Sequence, residues 1–194
     1  INFCLGAIEL IDDENNGTGS VARETVDQFV AVATHELAHA LGANSELFKY
    51  YRDSVTGAPL TPRPFVAQER YDHCVGGVIA RDIIVPSCKV IRRGTSSTGL
   101  SHYEVVTPTV VQVARNQFGC QGLTGARLEN QPTAKDCWGS HWDERYYYTE
   151  LLSGVYASES EYLSPLTLAL FEDTGWYFAN YTASSISPFG HGAG

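Results

Sequence analysis

The sequence predicts an α+β fold, a strand region giving way to helices, on three observations. From Ser20 to Leu41 the run SVARETVDQFVAVATHELAHAL contains neither Gly nor Pro. It sets Val26, Phe29, Val30, Ala33, Leu37, Ala40 and Leu41 at helical spacing, the pattern of an amphipathic helix. Residues 108–118 (PTVVQVARNQF) predict a second helix, with Pro108 near its start, Val110, Val111, Val113, Ala114 and Phe118 apolar, and Gly119 as its stop. Near the end, SPLTLALFEDTGWY (164–177) gives Leu166, Leu168, Ala169, Leu170, Phe171 and Trp176 to a buried helix and its exit turn. The chain is expected to begin mid-strand as a processed or partial product, with the N-terminal part of its sheet largely missing.

Between these elements the punctuation is local chemistry. NNGTG precedes the first helix as a loop, with Thr18 or Ser20 available as its N-cap, and Gly42 can take the left-handed conformation that ends it. Residues 43–106 form an insertion-rich, partly ordered excursion holding SELFKYYRD, the Pro-rich APLTPRP, the pair Gly76-Gly77 and the low-complexity turn RRGTSSTG. A stretch this long between elements is usually functional or inserted. The chain thus divides into 1–42, 43–106 and 107–194, most simply parts of one partial domain over residues 1–194.

Composition narrows the class. With 194 residues, 43% of them hydrophobic, the chain can bury a sizeable core. A formal net charge of −9 argues against nucleic acid or an anionic membrane surface as a direct partner. No apolar run reaches the ~20 residues of a membrane span. Five cysteines (Cys4, Cys74, Cys88, Cys120 and Cys137) are many for a reducing compartment, and their odd number leaves at least one without a partner in this chain. No C-x₂-C pair suggests a cysteine zinc site. With the sequons at Asn16 and Asn180, the cysteines predict an extracellular or cell-surface glycoprotein.

The helix ends in His35-Glu36-Leu37-Ala38-His39-Ala40-Leu41-Gly42, an H-E-x-x-H-x-x-G motif. Histidines four apart project from one face, a turn apart, so both imidazoles can reach one Zn²⁺ at roughly 2.0–2.1 Å. Glu36, rotated about 100° from His35, suits a base for the attacking water better than a third ligand. Compact metzincins place a third histidine three residues past the glycine, where this chain has Ser45. The third ligand is therefore an acidic residue or a displaced histidine, from among His73, His102, His141 and His191.

Several separate stretches together resemble leishmanolysin, the surface metalloprotease of trypanosomatids, and the leishmanolysin-like peptidases of other eukaryotes. They are INFC, HELAHALG, LFKYYRD, TPTVVQVARNQFGC (107–120), ARLEN followed by GSHWDER, and SPLTLALFEDTGWY. The resemblance covers most of the chain, excepting roughly residues 54–106. It implies a metzincin-type zincin catalytic domain with an active-site helix, a mostly helical C-terminal half and one catalytic zinc ion. In that family the third histidine lies in G-S-H-W, here His141. GLSHYE gives His102 similar surroundings and leaves it as the alternative. The family's Met-turn reads E-L-M after the third histidine. The matching Thr149-Glu150-Leu151-Leu152 puts Leu152 in the methionine's place, in a chain with no Met at all. Leucine has a similar volume, and such swaps cost under about 1.5 kcal/mol.

The resemblance also implies the chemistry: zinc held by His35, His39 and His141, Glu36 as general base, and hydrolysis of peptide bonds in protein substrates. An extended substrate is expected alongside an edge strand, residues 1–10 being the candidate. The alternative is a non-catalytic extracellular structural or adhesion module that keeps the fold. Glu172 and Asp173 are expected to be solvated or to cap neighbouring backbone rather than to orient ligands, and Tyr146, Tyr147 and Tyr148 to pack. By the same resemblance Cys4 and Cys120 pair with cysteines in preceding and following segments of the same polypeptide. Among the rest, Cys74 with Cys88 closes the shortest loop.

Overall fold

The computed structural model describes residues 10–11, 20–74, 77–130, 139–155 and 161–194, and is α+β as expected. A two-residue ladder pairs β1 (Leu10–Ile11) with β2 (Ser20–Val21) antiparallel, Leu10 opposite Val21. Helix α1 spans Arg23–Leu41. Its N-cap is Ala22, in an extended conformation (φ −56°, ψ 137°) with no side-chain cap, rather than Ser20. The β2 pairing engages Ser20 and Val21, so the helix cannot begin there, and Thr18 lies outside the described residues. At the other end Gly42 takes φ 143°, a backbone region that side chains disfavour. Its N–H and that of Ala43 return to the carbonyl of Ala38 at 3.2 and 3.0 Å.

The apolar stripe of α1 does not face the core. Val30, Leu37 and Leu41 are 59%, 53% and 50% exposed, whereas Ala38, on the adjoining flank of the helix, is 5% exposed. Periodicity locates a stripe without saying what covers it. Among the described residues it is the His35, Ala38 and His39 face that meets the rest of the molecule.

The excursion is more ordered than the sequence suggests. After a 3₁₀ turn at Phe48–Tyr50, which buries Phe48 and leads into buried Tyr51, strands β3 (Ala67–Cys74) and β4 (Gly77–Ile84) form an antiparallel hairpin. A second hairpin pairs β5 (Ile91–Thr95) with β6 (Ser101–Val105), whose Ser101, Tyr103 and Val105 point inward at strand period. Then follow α2 (Pro108–Phe118), β7 (Ala126–Arg127) on the open edge of β6, the single turn α3 (Glu144–Tyr147) and α4 (Pro165–Asp173).

Helices α2 and α4 pack together, burying Val110 and Ala114 against Leu166, Ala169 and Leu170. Asp173 caps α2, its carboxylate accepting from the backbone N–H of Thr109 and Val110 at 2.9 Å each, and Glu172 accepts from the Tyr181 hydroxyl. Tyr147 is buried while Tyr146 and Tyr148 are exposed. Trp176, expected to be buried, is 57% exposed and stacks under the Arg52 guanidinium, 4.7 Å from the ring centre. Gly175 before it takes φ 74°, and a Cβ there would come 2.4 Å from the Arg52 carbonyl oxygen, so this turn admits only glycine.

The short-loop disulfide is not formed, since Cys88 is a free, exposed thiol. Cys74 ends the hairpin tip opposite Gly77, while Cys88 follows the base set by Ile84. Eight-residue strands separate tip from base by about 25 Å, far beyond the ~7 Å Cα separation a disulfide tolerates. Cys120 is also a free thiol, half-buried, and Cys4 and Cys137 lie outside the described residues.

Candidate metal centre

The site is assembled from α1 and from the segment after β7. One turn of helix brings the His35 and His39 rings to 4.6 Å between centroids. The backbone delivers His141 to them: its carbonyl accepts from the Glu129 N–H at 2.9 Å, and the next residue, Trp142, donates to the Leu152 carbonyl at 2.8 Å. The three Nε2 atoms form a near-equilateral triangle of 3.0, 3.1 and 3.1 Å.

Every Nδ1 atom faces an acceptor. That of His35 lies 2.7 Å from the Leu151 carbonyl, that of His39 lies 2.7 Å from the Ala43 carbonyl, and that of His141 lies 2.6 Å from Glu129 Oε1. Acceptors place the proton on Nδ1, so the Nε2 lone pairs converge with no hydrogen among them. Such a triangle is repulsive unless a cation sits against it. Bonds of about 2.0–2.1 Å in a regular tetrahedron set neighbouring ligands roughly 3.3–3.4 Å apart, close to the separations here. Three imidazoles suit zinc, with one face left open. The triad is the group of His, Cys, Asp and Glu side chains among the described residues whose donor atoms converge closely enough to hold a metal ion. Burial pushes the His39 imidazole below its usual pKa. The Ala43 carbonyl opposes this, and the neighbouring imidazoles reinforce it.

Glu36 is exposed on the helix and lines one cavity of about 200 Å³ with Val32, His35, His141, Ser153 and Gly154. Leu152, 1% exposed, lies in the turn whose carbonyls at Leu151 and Leu152 serve His35 and the residue after His141. Ser45, at the compact-motif position, donates its N–H to Ser140 Oγ at 3.0 Å and lies beside the chain carrying His141. His102 is on β6 opposite Gly94, His73 is on β3 and His191 is in the C-terminal turn, none of them within the cluster. The candidate substrate strand, residues 1–10, lies outside the described residues except for Leu10 in β1, and Asn16 lies outside them too. Asn180 is exposed, its side-chain oxygen accepting from the Thr182 hydroxyl at 2.7 Å.

Sequence reasoning did not single out Glu129. Its carboxylate sits in a slot with no room for a side chain on either wall: a Cβ on Gly139 would lie 1.6 Å from Oε1, and one on Gly154 would lie 2.6 Å from Oε2. A histidine ligand ordinarily donates its second N–H to a carboxylate or carbonyl, so an acidic residue in the preceding ARLEN was the available signal.

The family model for leishmanolysin matches residues 15–194. A leishmanolysin-like peptidase of Drosophila pseudoobscura pseudoobscura is 33% identical over 186 residues, covering 90% of this chain and 26% of the relative. One of Caenorhabditis elegans is 34% identical over 185 residues, 93% of this chain and 26% of the relative. The ciliated left-right organizer metallopeptidase of Mus musculus is 29% identical over 170 residues, 87% of this chain and 20% of that protein. The chain therefore spans about a quarter of the length of the first two relatives. A model match over nearly the whole chain, with two relatives above 30% identity, makes this chain a member of the leishmanolysin family of metallopeptidases.

Proposed function

We propose that this chain is the core of a zinc-dependent endopeptidase, with His35, His39 and His141 as metal ligands and Glu36 as general base. The observation that carries the reading is the triangle of converging Nε2 atoms, each ring with its Nδ1 against an acceptor, two of whose histidines, His35 and His141, line one open cavity with Glu36. A zinc ion bound there would polarise the scissile carbonyl and acidify a water molecule. Glu36, exposed to that cavity, would take the water's proton as the carbonyl is attacked and return it to the leaving amine. The Nδ1 bonds hold the imidazoles in one tautomer and orientation, so little rearrangement accompanies the reaction. Leu152 fills the floor of the site without contributing a reacting group.

Residues 1–194 act in this reading as one partial catalytic domain, taking protein or peptide substrates outside the cell or at its surface, with glycans at Asn16 and Asn180. No helix among the described residues is long and apolar enough to cross a membrane.

The test is Glu36→Gln in the full-length protein, assayed on an unfolded protein substrate with zinc content measured in parallel. Loss of the base should cut kcat by about 10²–10⁴ while zinc stays bound. Full peptidase activity in that variant would refute the mechanism. A wild-type protein with zinc bound and no hydrolysis of any protein would favour a non-catalytic structural or adhesion role.

A further inference from the structure

The turn under the triad contains a fully buried carboxylate that the proposed reaction does not use. Glu150 is 1% exposed. Its Oε2 accepts from the Leu152 N–H at 2.7 Å, and its Oε1 accepts from the Ser164 N–H at 3.1 Å, the Ser164 hydroxyl at 2.8 Å and the Thr167 hydroxyl at 2.8 Å. None of these donors is charged. Two other buried acids have arginines beside them, Arg93 at 3.1 Å from Asp72 and Arg145 against Asp143. Burying a carboxylate without a cation is costly, and burial does push the Glu150 carboxyl above its ordinary pKa against the pull of its donors. Compensation comes from the start of α4, where the N-cap Ser164 gives both its N–H and its hydroxyl to the carboxylate and the helix presents the positive end of its dipole.

Both halves of the triad rest on what Glu150 ties together. Through the Leu152 N–H it fixes the turn whose Leu151 carbonyl receives His35 Nδ1 and whose Leu152 carbonyl receives the Trp142 N–H. Through the Thr167 hydroxyl, which itself accepts from the Trp142 indole at 3.0 Å, it fixes the residue that follows His141. We infer that Glu150 is a positioning residue for the metal centre, anchoring the carbonyl that orients His35 and the segment that carries His141 to the N-terminus of α4. The inference rests on the zinc reading above and assigns Glu150 no contact with metal or substrate.

Glu150→Gln tests it, because the amide keeps the volume but not the acceptor pattern. With its oxygen toward Ser164 and Thr167, its NH₂ group opposes the Leu152 N–H, donor against donor. The full-length protein is loaded with zinc, and release to a chelating dye is timed beside thermal unfolding of the zinc-free form. Release is expected to be about 10–100-fold faster than in wild type, with zinc affinity weakened by a similar factor. A lower Tm with wild-type release would make Glu150 a core residue only and overturn the inference. Should Glu150→Gln not fold, Ser164→Ala removes one hydroxyl donor from the same carboxylate, and release less than about threefold faster overturns the inference equally. A wild-type protein that binds no zinc would sink the zinc reading itself, an outcome distinct from equal release by wild type and variant.

Discussion

Substituting Gly139 by alanine separates the metal centre from the fold that carries it. The new Cβ would stand 1.6 Å from Glu129 Oε1 and 2.2 Å from its carboxyl carbon, distances no structure sustains. What must move is the tip of a flexible side chain, and Gly154 on the opposite wall, where a Cβ would already meet Oε2 at 2.6 Å, leaves it little room to slide sideways. The carboxylate is therefore driven off His141 Nδ1, which it now approaches at 2.6 Å. Losing such a partner to a histidine ligand costs about 10–100-fold in metal affinity, or about 1.4–2.7 kcal/mol of zinc binding. The zinc-free protein should unfold at nearly its wild-type temperature, because the clash is relieved by one side-chain rotation. Zinc affinity measured by competition with a chelator gives the comparison, completed by Glu129→Ala and the double variant. If the steric argument holds, the double variant is no worse than Glu129→Ala, since alanine at 129 leaves nothing for the new methyl to displace. Additive losses, or a Gly139→Ala protein that binds zinc as wild type does, would refute it.

His141→Ala should abolish stoichiometric zinc binding while His102→Ala leaves it unchanged, and the reverse result in equilibrium dialysis would transfer the third ligand to β6. Leu152→Met restores the residue expected at that position of the turn. With Leu152 fully buried, the swap should move stability by under about 1.5 kcal/mol and peptidase rate by only a few-fold, and a large gain in rate would show that the thioether matters beyond its volume. Because the His39 pKa is depressed in the folded state, its contribution to stability is complete above the ordinary value of about 6.5 and is lost as pH falls through the folded value. The zinc-free protein should accordingly lose Tm on acidification below about pH 6.5, with a shallower slope in His39→Gln. Equal slopes would exclude His39 as a source.

The long periodic segments and the H-E-x-x-H motif were legible because each is written in consecutive residues. Helix α2 begins and ends where Pro108 and Gly119 say it should, and the spacing of His35 and His39 carries both rings to one side of α1 without help from the rest of the chain. The stripe of Val26, Val30, Leu37 and Leu41 announced the helix but not its packing, because amphipathicity gives a direction, not a partner, and among the described residues the packed face is the one holding the histidines. The β3–β4 hairpin escaped notice because its pairing is decided across strands, in residues such as Glu69, Arg70, Asp72 and Arg81 that carry little apolar alternation.

The sequence by itself determined the family, the helix that presents two imidazoles and a carboxylate, and, through the motif around it, which distant histidine to expect beside them. Only the tertiary structure decided that His141 stands 3.1 Å from each of the other two, that Glu129 and two backbone carbonyls hold the rings, and that buried Glu150 ties the supporting turn to α4. The physical reason is one of range. Side chains on one helix are placed by the helix, whereas acceptors more than a hundred residues from their donors, such as the Leu151 carbonyl that receives His35, are placed by the packing of the whole chain.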